Sequence, residues 1–193
     1  MTQPAPTPGK ARKGIVFTVS TLIASSVIAA WQITAPVVID ITKETLKKVV
    51  SPITITAIST EMKKNEFFQG MNGEKVAESL NDDMLGGRGV RLECRRTESA
   101  EECVARNPEK AAEEAGWGGL KRQLEDFNNA YSGCRDQIAT NPDIDLNNDV
   151  AVYDETVKCL ILSNQGEMLD KLAKSDKNLA AAVRQTKAKL SDR

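Results

Sequence analysis

The chain contains no histidine at all among its 193 residues. Imidazole is the side chain that titrates near neutral pH without help, so its absence removes the usual general base. Serine and cysteine triads and most catalytic zinc sites go with it. Aromatic residues are also scarce, at 4%. That favours helices packed from Leu, Ala and Val over a β-sandwich, whose strands draw on aromatic and β-branched residues. Charge of one sign is lacking too: the net charge of -1 gives no basic face for releasing counterions from a nucleic acid. No phosphate cradle is present, because "GGRG" at Gly86 lacks the Lys-Ser/Thr that follows a P-loop. Paired acids such as Glu101/Glu102 and Glu113/Glu114 sit in charge-mixed segments and read as solvated helix faces. The sequence therefore predicts a protein that is not an enzyme.

One feature is abundant. Lys10, Arg12 and Lys13 precede 26 uncharged residues, Gly14 to Ile39, before Asp40 restores a charge. As a helix rising 1.5 Å per residue this run would reach about 39 Å, against about 30 Å of hydrocarbon. Residues 1–13 read as a disordered Pro-rich tail, 14–39 as a transmembrane helix, 40–73 as a juxtamembrane helix and strand linker, and 74–193 as a helical domain. A retained anchor is favoured over a cleaved signal because "APVVI" continues the apolar stretch past the small residues Ala29 and Ala30. Lys43, Lys47 and Lys48 after the run nearly balance the cations before it, so the positive-inside bias is small. The short tail and the cysteines point to a single pass of the cytoplasmic (inner) membrane with the C-terminal domain outside. Membrane lipid is then one partner. Thr21, Ser25 and Ala29 form a ridge of small residues through which copies could pair laterally, giving a homo-oligomer.

Cys94, Cys103, Cys134 and Cys159 make an even set beyond the run. Three disulfide connectivities are open; Cys94–Cys103 and Cys134–Cys159 are expected. No C-x-x-C spacing supports zinc. Beyond Asp40, "DITKETLKKVV" predicts a helix stopped by Pro52, and the alternation in Ile53 to Ile58 predicts a short strand. "GEKVAESLNDDML" predicts a helix, and "VRLEC" a second strand pairing with the first.

From Trp117 onward the pattern is helical. Trp117, Leu120, Leu124, Phe127, Tyr131, Cys134 and Ile138 recur at steps of 3 and 4, which lays one apolar stripe along about six turns. A second helix starts near Asp149 with Val150, Tyr153, Val157, Leu160 and Ile161 inward. A third runs from about Glu167 through Leu169, Leu172, Asp176, Leu179, Val183, Thr186 and Leu190. Its spacing suits either a core-facing helix or a coiled-coil seam. The fold class expected is mainly α, with a possible two-stranded β element.

"DIDLNNDVAVYD" has the spacing of a twelve-residue calcium loop, with Asp143, Asp145, Asn147 and Asp154 as oxygen donors. Calcium gathers six to eight oxygens, so clustered acids at such intervals are its signature. The competing reading is an Asx-rich loop between helices, with Asp149 capping the second. Calcium is the one cofactor the sequence suggests.

"VARNP" at Val104 to Pro108 returns as "IATNP" at Ile138 to Pro142 and weakly as "LAKSD" at Leu172 to Asp176, offset by 34 residues each time. With Trp117, Gly118, Ala130 and Pro142, this resembles a degenerate tetratricopeptide repeat over roughly Lys75 to Asp176. Lys121, Glu125 and Cys134 depart from that family's pattern. The resemblance implies a scaffold that binds partner segments in a helical groove. The function expected is a non-catalytic interaction or assembly component of a membrane complex, with other proteins as its partners. The alternative is a small secreted or periplasmic binding protein, released by signal cleavage and binding calcium.

Overall fold

The computed structural model describes residues 36–87 and 89–192. It opens on strand β1 (Pro36–Ile41), followed by helices α1 (Lys43–Val49) and α2 (Ser51–Met62), a short 3-10 turn at Glu66–Phe68, and α3 (Gly73–Leu85). Strand β2 (Val90–Arg95) leads to α4 (Ala100–Arg106), α5 (Pro108–Glu114), the long α6 (Trp117–Thr140) and α7 (Asp149–Leu160). After the irregular turn Ile161–Gln165 come α8 (Gly166–Ala173) and α9 (Lys177–Ser191). The chain is mainly helical with one two-stranded antiparallel sheet, whose register runs from Pro36↔Arg95 to Ile41↔Val90.

The sheet corrects two expectations. Residues 36–39, taken as the end of the apolar run, are strand; residues 14–35 lie outside the described residues. Pro36 fixes its own φ and disfavours helix in the residue before it, which suits the start of a strand. Ile53 to Ile58 is helix, not strand. Pro52 occupies the first turn of α2, where its missing N–H is no loss. Ser51, Thr54, Ile58 and Met62 are the buried positions, at steps of three and four. The Ile/Thr alternation masked that period. "VRLEC" does form a strand, with Val90, Leu92 and Cys94 buried on one face. Its partner is β1 instead.

Two apolar cores share a border. The smaller gathers Ile41, Leu46, Val50, Leu85, Leu92, Cys94, Cys103 and Val104 from β1, α1, α3, β2 and α4. The larger is built by α2, α3 and α6 to α9 around Leu80, Leu124, Phe127, Leu160, Leu169 and Leu172. Met84 and Trp117 pack against both. Scarce aromatic residues are concentrated here. Phe67 meets Phe68, Phe127 and Tyr131 edge-on at 5.7, 5.2 and 5.7 Å and lies parallel to Tyr153 at 6.4 Å. Such pairs add roughly 0.5–1.5 kcal/mol each beyond their area.

Both expected cysteine pairs are at disulfide distance. Cys94–Cys103 ties β2 to α4 with a Cα separation of 5.4 Å, and Cys134–Cys159 ties α6 to α7 at 5.7 Å. The stripe on α6 is buried at Leu120, Leu124, Phe127, Cys134 and Ile138, as its spacing predicts. Gly116 starts that helix at φ 107, in the left-handed region that glycine enters without strain. Val150 departs from expectation at 71% exposure, because α7 begins just before it and docks only from Tyr153 onward.

The expected long C-terminal helix is two. Asp176 caps α9 by accepting from the amides of Asn178 and Leu179, so the backbone turns between Ala173 and Lys177 while the apolar period carries across. Leu169, Leu172, Leu179 and Val183 are all buried within the chain's own core. The three segments related by 34 residues mark the C-terminal ends of α4, α6 and α8; the helices between the first two, α5 and α6, have 7 and 24 residues.

Candidate functional site

The loop joining α6 to α7 is made by side-chain-to-backbone hydrogen bonds. Asn141 Oδ1 accepts from the Asp143 amide at 3.0 Å, and Asp145 Oδ1 accepts from the Asn147 amide at 3.0 Å. Asn148, not Asp149, is the N-cap of α7, accepting from the Ala151 amide at 3.1 Å; Asp149 sits in the first turn, where its charge complements the helix dipole. These are Asx turns of the kind expected wherever Asp and Asn cluster between helices. Asp143, Asp145 and Asn147 are exposed, while Asp154 lies on α7 beside a small cleft lined by Lys158, Thr186 and Lys189. Among the described residues, no group of three or more His, Cys, Asp or Glu side chains is arranged to hold a metal ion.

A different surface stands out on α2. From Val49 to Thr60 the sequence carries no charge, in a chain where 27% of residues are charged. A groove of about 620 Å³ runs along this helix, lined by Ile55, Thr56, Ser59, Met62, Phe68 and Gln69 among others. Lys63 and Glu74 also line it. Ile53 on the same helix is 46% exposed. The sequence signal was the gap in charge, which the strand reading of Ile53 to Ile58 concealed.

Beneath that groove the helix is fixed by a buried polar contact. The Thr54 hydroxyl bonds Asn81 Oδ1 at 2.5 Å, and Asn81 Nδ2 donates to Ser51 Oγ at 2.9 Å. Every buried side-chain nitrogen and oxygen among the described residues has a partner. Satisfied partners of this kind favour stability of the buried core.

Glu98 is held below its ordinary carboxylate value, first by the Arg106 hydrogen bonds and then by the Arg95 amide. Glu102 is lowered by the Ser99 amide and hydroxyl, which close a capping box on α4. Arg106 is raised by Glu98. Burial among apolar neighbours raises both Tyr131 and Tyr153.

No protein-family model, curated protein or solved structure matches this chain. Among the described residues, no helix is long and apolar enough to cross a membrane.

Proposed function

We propose that the chain is a membrane-anchored, non-catalytic interaction component whose helical domain sits on the extracytoplasmic side. The observation that carries this reading is a junction. The uncharged residues 14–35 end one residue before Pro36, the first residue of the sheet. Those 22 residues, as a helix, would measure about 33 Å, which still exceeds the roughly 30 Å of hydrocarbon. Four cysteines within bonding distance as two pairs suit an oxidising compartment. The groove along α2 is the face best suited to a protein partner, since its helix contributes apolar and hydroxyl groups and Lys63 and Glu74 are the only charged residues lining it among those described.

The test is an alkaline wash of membranes holding the full chain, followed by cross-linking and co-purification after solubilisation. Retention in the pellet and a discrete cross-linked product, lost when Thr56 and Ser59 are replaced by Arg, are expected. Release by the wash refutes the anchor, and a mature N-terminus at Trp31 by intact mass would favour the released binding protein. Cross-linked products unchanged by the Arg substitutions would refute the groove.

A further inference from the structure

The register of the sheet brings together two residues far apart in sequence. Pro36 is paired with Arg95 at one end of the sheet, and it directly follows residues 14–35 of the uncharged run, which continues through β1 to Ile39. Adjacent Cα atoms are 3.8 Å apart, and paired antiparallel residues about 4.5–5.5 Å apart. The Arg95 backbone therefore lies beside Pro36, the first described residue, which residues 14–35 directly precede in sequence. There β2 reverses sharply: the Glu98 amide donates to the Arg95 carbonyl at 3.0 Å, leaving Arg96 and Thr97 exposed at the tip.

The charges at this tip are not balanced internally. Glu98 is engaged by Arg106 through Nε and Nη2, both at 2.8 Å, and by the Arg95 amide at 3.0 Å. Only a distant contact of 3.7 Å remains for the Arg95 guanidinium. Glu102 is engaged by the Ser99 amide and hydroxyl at 2.8 and 2.9 Å. Among the described residues, no carboxylate forms an ion pair with Arg96. Several cations after the apolar run are matched, Lys47 with Asp82 at 2.8 Å, Lys48 with Glu101 at 2.8 Å, and Arg91 with Asp40 at 2.9 Å, whereas Lys43, at the far end of β1 from Pro36, forms no ion pair among the described residues. The sequence draws attention to Lys47 and Lys48, yet they are occupied.

We infer that the Pro36–Arg95 end of the sheet seats on anionic phospholipid headgroups, with the Arg95 and Arg96 guanidinia binding lipid phosphate. This rests on the anchored reading above, because the apolar run is what sets that end against the bilayer. A guanidinium presents a planar fork of donors matched to phosphate oxygens. The domain would thus stand in one orientation on the membrane.

Chemical modification of arginine by phenylglyoxal, mapped by mass spectrometry, tests this on the full chain. The protein is reconstituted into vesicles of phosphatidylcholine alone or with about 30 mol% phosphatidylglycerol, a typical anionic leaflet. Modification of Arg95 and Arg96 should fall about fivefold or more in the anionic vesicles, while Arg184 on α9 reacts equally in both. High salt should restore reactivity, and R96Q should lower the protection of Arg95. Equal reactivity of Arg95 and Arg96 in the two vesicles, with the chain retained after alkaline wash, overturns this inference and leaves the anchor standing. Release by that wash overturns both. Protection by inorganic phosphate in neutral vesicles, matching that from anionic lipid, would make the pair a free-phosphate site and overturn the lipid assignment.

Discussion

Replacing both Cys134 and Cys159 with Ala should lower the melting temperature by roughly 10 °C, near the middle of a range that follows from loop length. The bond closes a loop with a sequence separation of 25 residues, between α6 and α7. In the chain-entropy model, cross-linking such a loop removes about 11.7 cal/mol/K from the unfolded ensemble, or about 3.5 kcal/mol at 25 °C. A chain of 150–250 residues shifts by about 2–4 °C per kcal/mol, which gives about 7–14 °C. Cys134 is 1% exposed, so the substitution also removes a buried sulfur and pushes the loss toward the upper end. The assay is thermal unfolding of the full chain in detergent, followed by far-UV circular dichroism, with the parent and double variant at equal concentration. Mild reductant supplies an independent arm. Cys159 is only partly buried and lines a cleft of about 300 Å³, whereas Cys94 and Cys103 are each 1% exposed. Cys134–Cys159 should therefore open first, with alkylation labelling those two sulfurs before the others and the melting point falling in step. A loss below about 3 °C, or labelling of Cys94 and Cys103 first, would refute the account of the loop as the main covalent restraint.

Asn81→Ala should cost about 1–3 kcal/mol in urea unfolding, because it removes the buried amide that bonds both Thr54 and Ser51 and leaves Thr54 only its contacts to the Val50 and Ser51 carbonyls at 3.2 and 3.3 Å. Adding Thr54→Val should recover part of that loss, and simple additivity would argue against a coupled contact. Glu98 has a folded pKa held below its ordinary value of 4.5, so its contribution to stability is present above that value and lost as pH falls through the folded one. Glu98→Gln should flatten the decline in melting temperature below about pH 4.5, and an unchanged acid limb would exclude the Arg106 pairing as its source. Calcium at about 1 mM should leave the melting temperature within about 1 °C of the chelated protein, since the Asp145 carboxylate already serves the Asn147 backbone; a rise of several degrees would show an assembled site. Asn164 holds a left-handed φ of 62 between α7 and α8, so Asn164→Ala should destabilise by about 1 kcal/mol while Asn164→Gly stays near neutral in the same urea assay.

Which parts of this fold could be read in advance depended on whether each apolar pattern had one face. The stripe on α6 has a single buried side, so the steps from Trp117 to Ile138 named both the helix and its inward residues. Ser51 to Met62 is apolar or hydroxyl-bearing nearly all round, so a twofold alternation and a helical period fitted the same letters. Only burial at Ser51, Thr54, Ile58 and Met62 separates them. The start of β1 was hidden for a related reason: "PVVI" continues an uncharged run, and hydropathy has no means of marking a change of geometry inside it. Asp176 stands at a position where the apolar period is unbroken on either side, so its capping role became visible only from the amides it receives. The Asx spacing of the 143–154 segment was legible, but which atoms those carboxylates serve is a matter of local backbone turns. The lipid-facing arginines could not be found by scanning at all. Pro36 and Arg95 meet through strand register, a long-range fact that no window of neighbouring residues contains.

The lack of a linker between the apolar run and the domain raises a mechanical question that β1 itself answers. Along the strand, exposed Pro36, Val38 and Asp40 alternate with an inward face on which Val37 and Ile39 are half-buried and only Ile41, 1% exposed, is fully buried. A strand held by backbone bonds at one end and by a buried side chain at the other frays from the exposed end first. Each residue released there lengthens the tether by about 3.3 Å. Ile41 resists, because freeing it would expose a side chain worth about 1.5–3 kcal/mol in burial. Opposite Val37, β2 is pinned in turn by Cys94, bonded to Cys103 of α4, and α4 is held to α1 by the Lys48–Glu101 pair. Fraying is therefore limited to the first few residues of β1, and beyond them the chain meets a covalently stapled core. A strand of this kind supplies a short joint without a flexible linker, which is how a domain could keep one end near lipid while its α2 groove remains free to meet a partner.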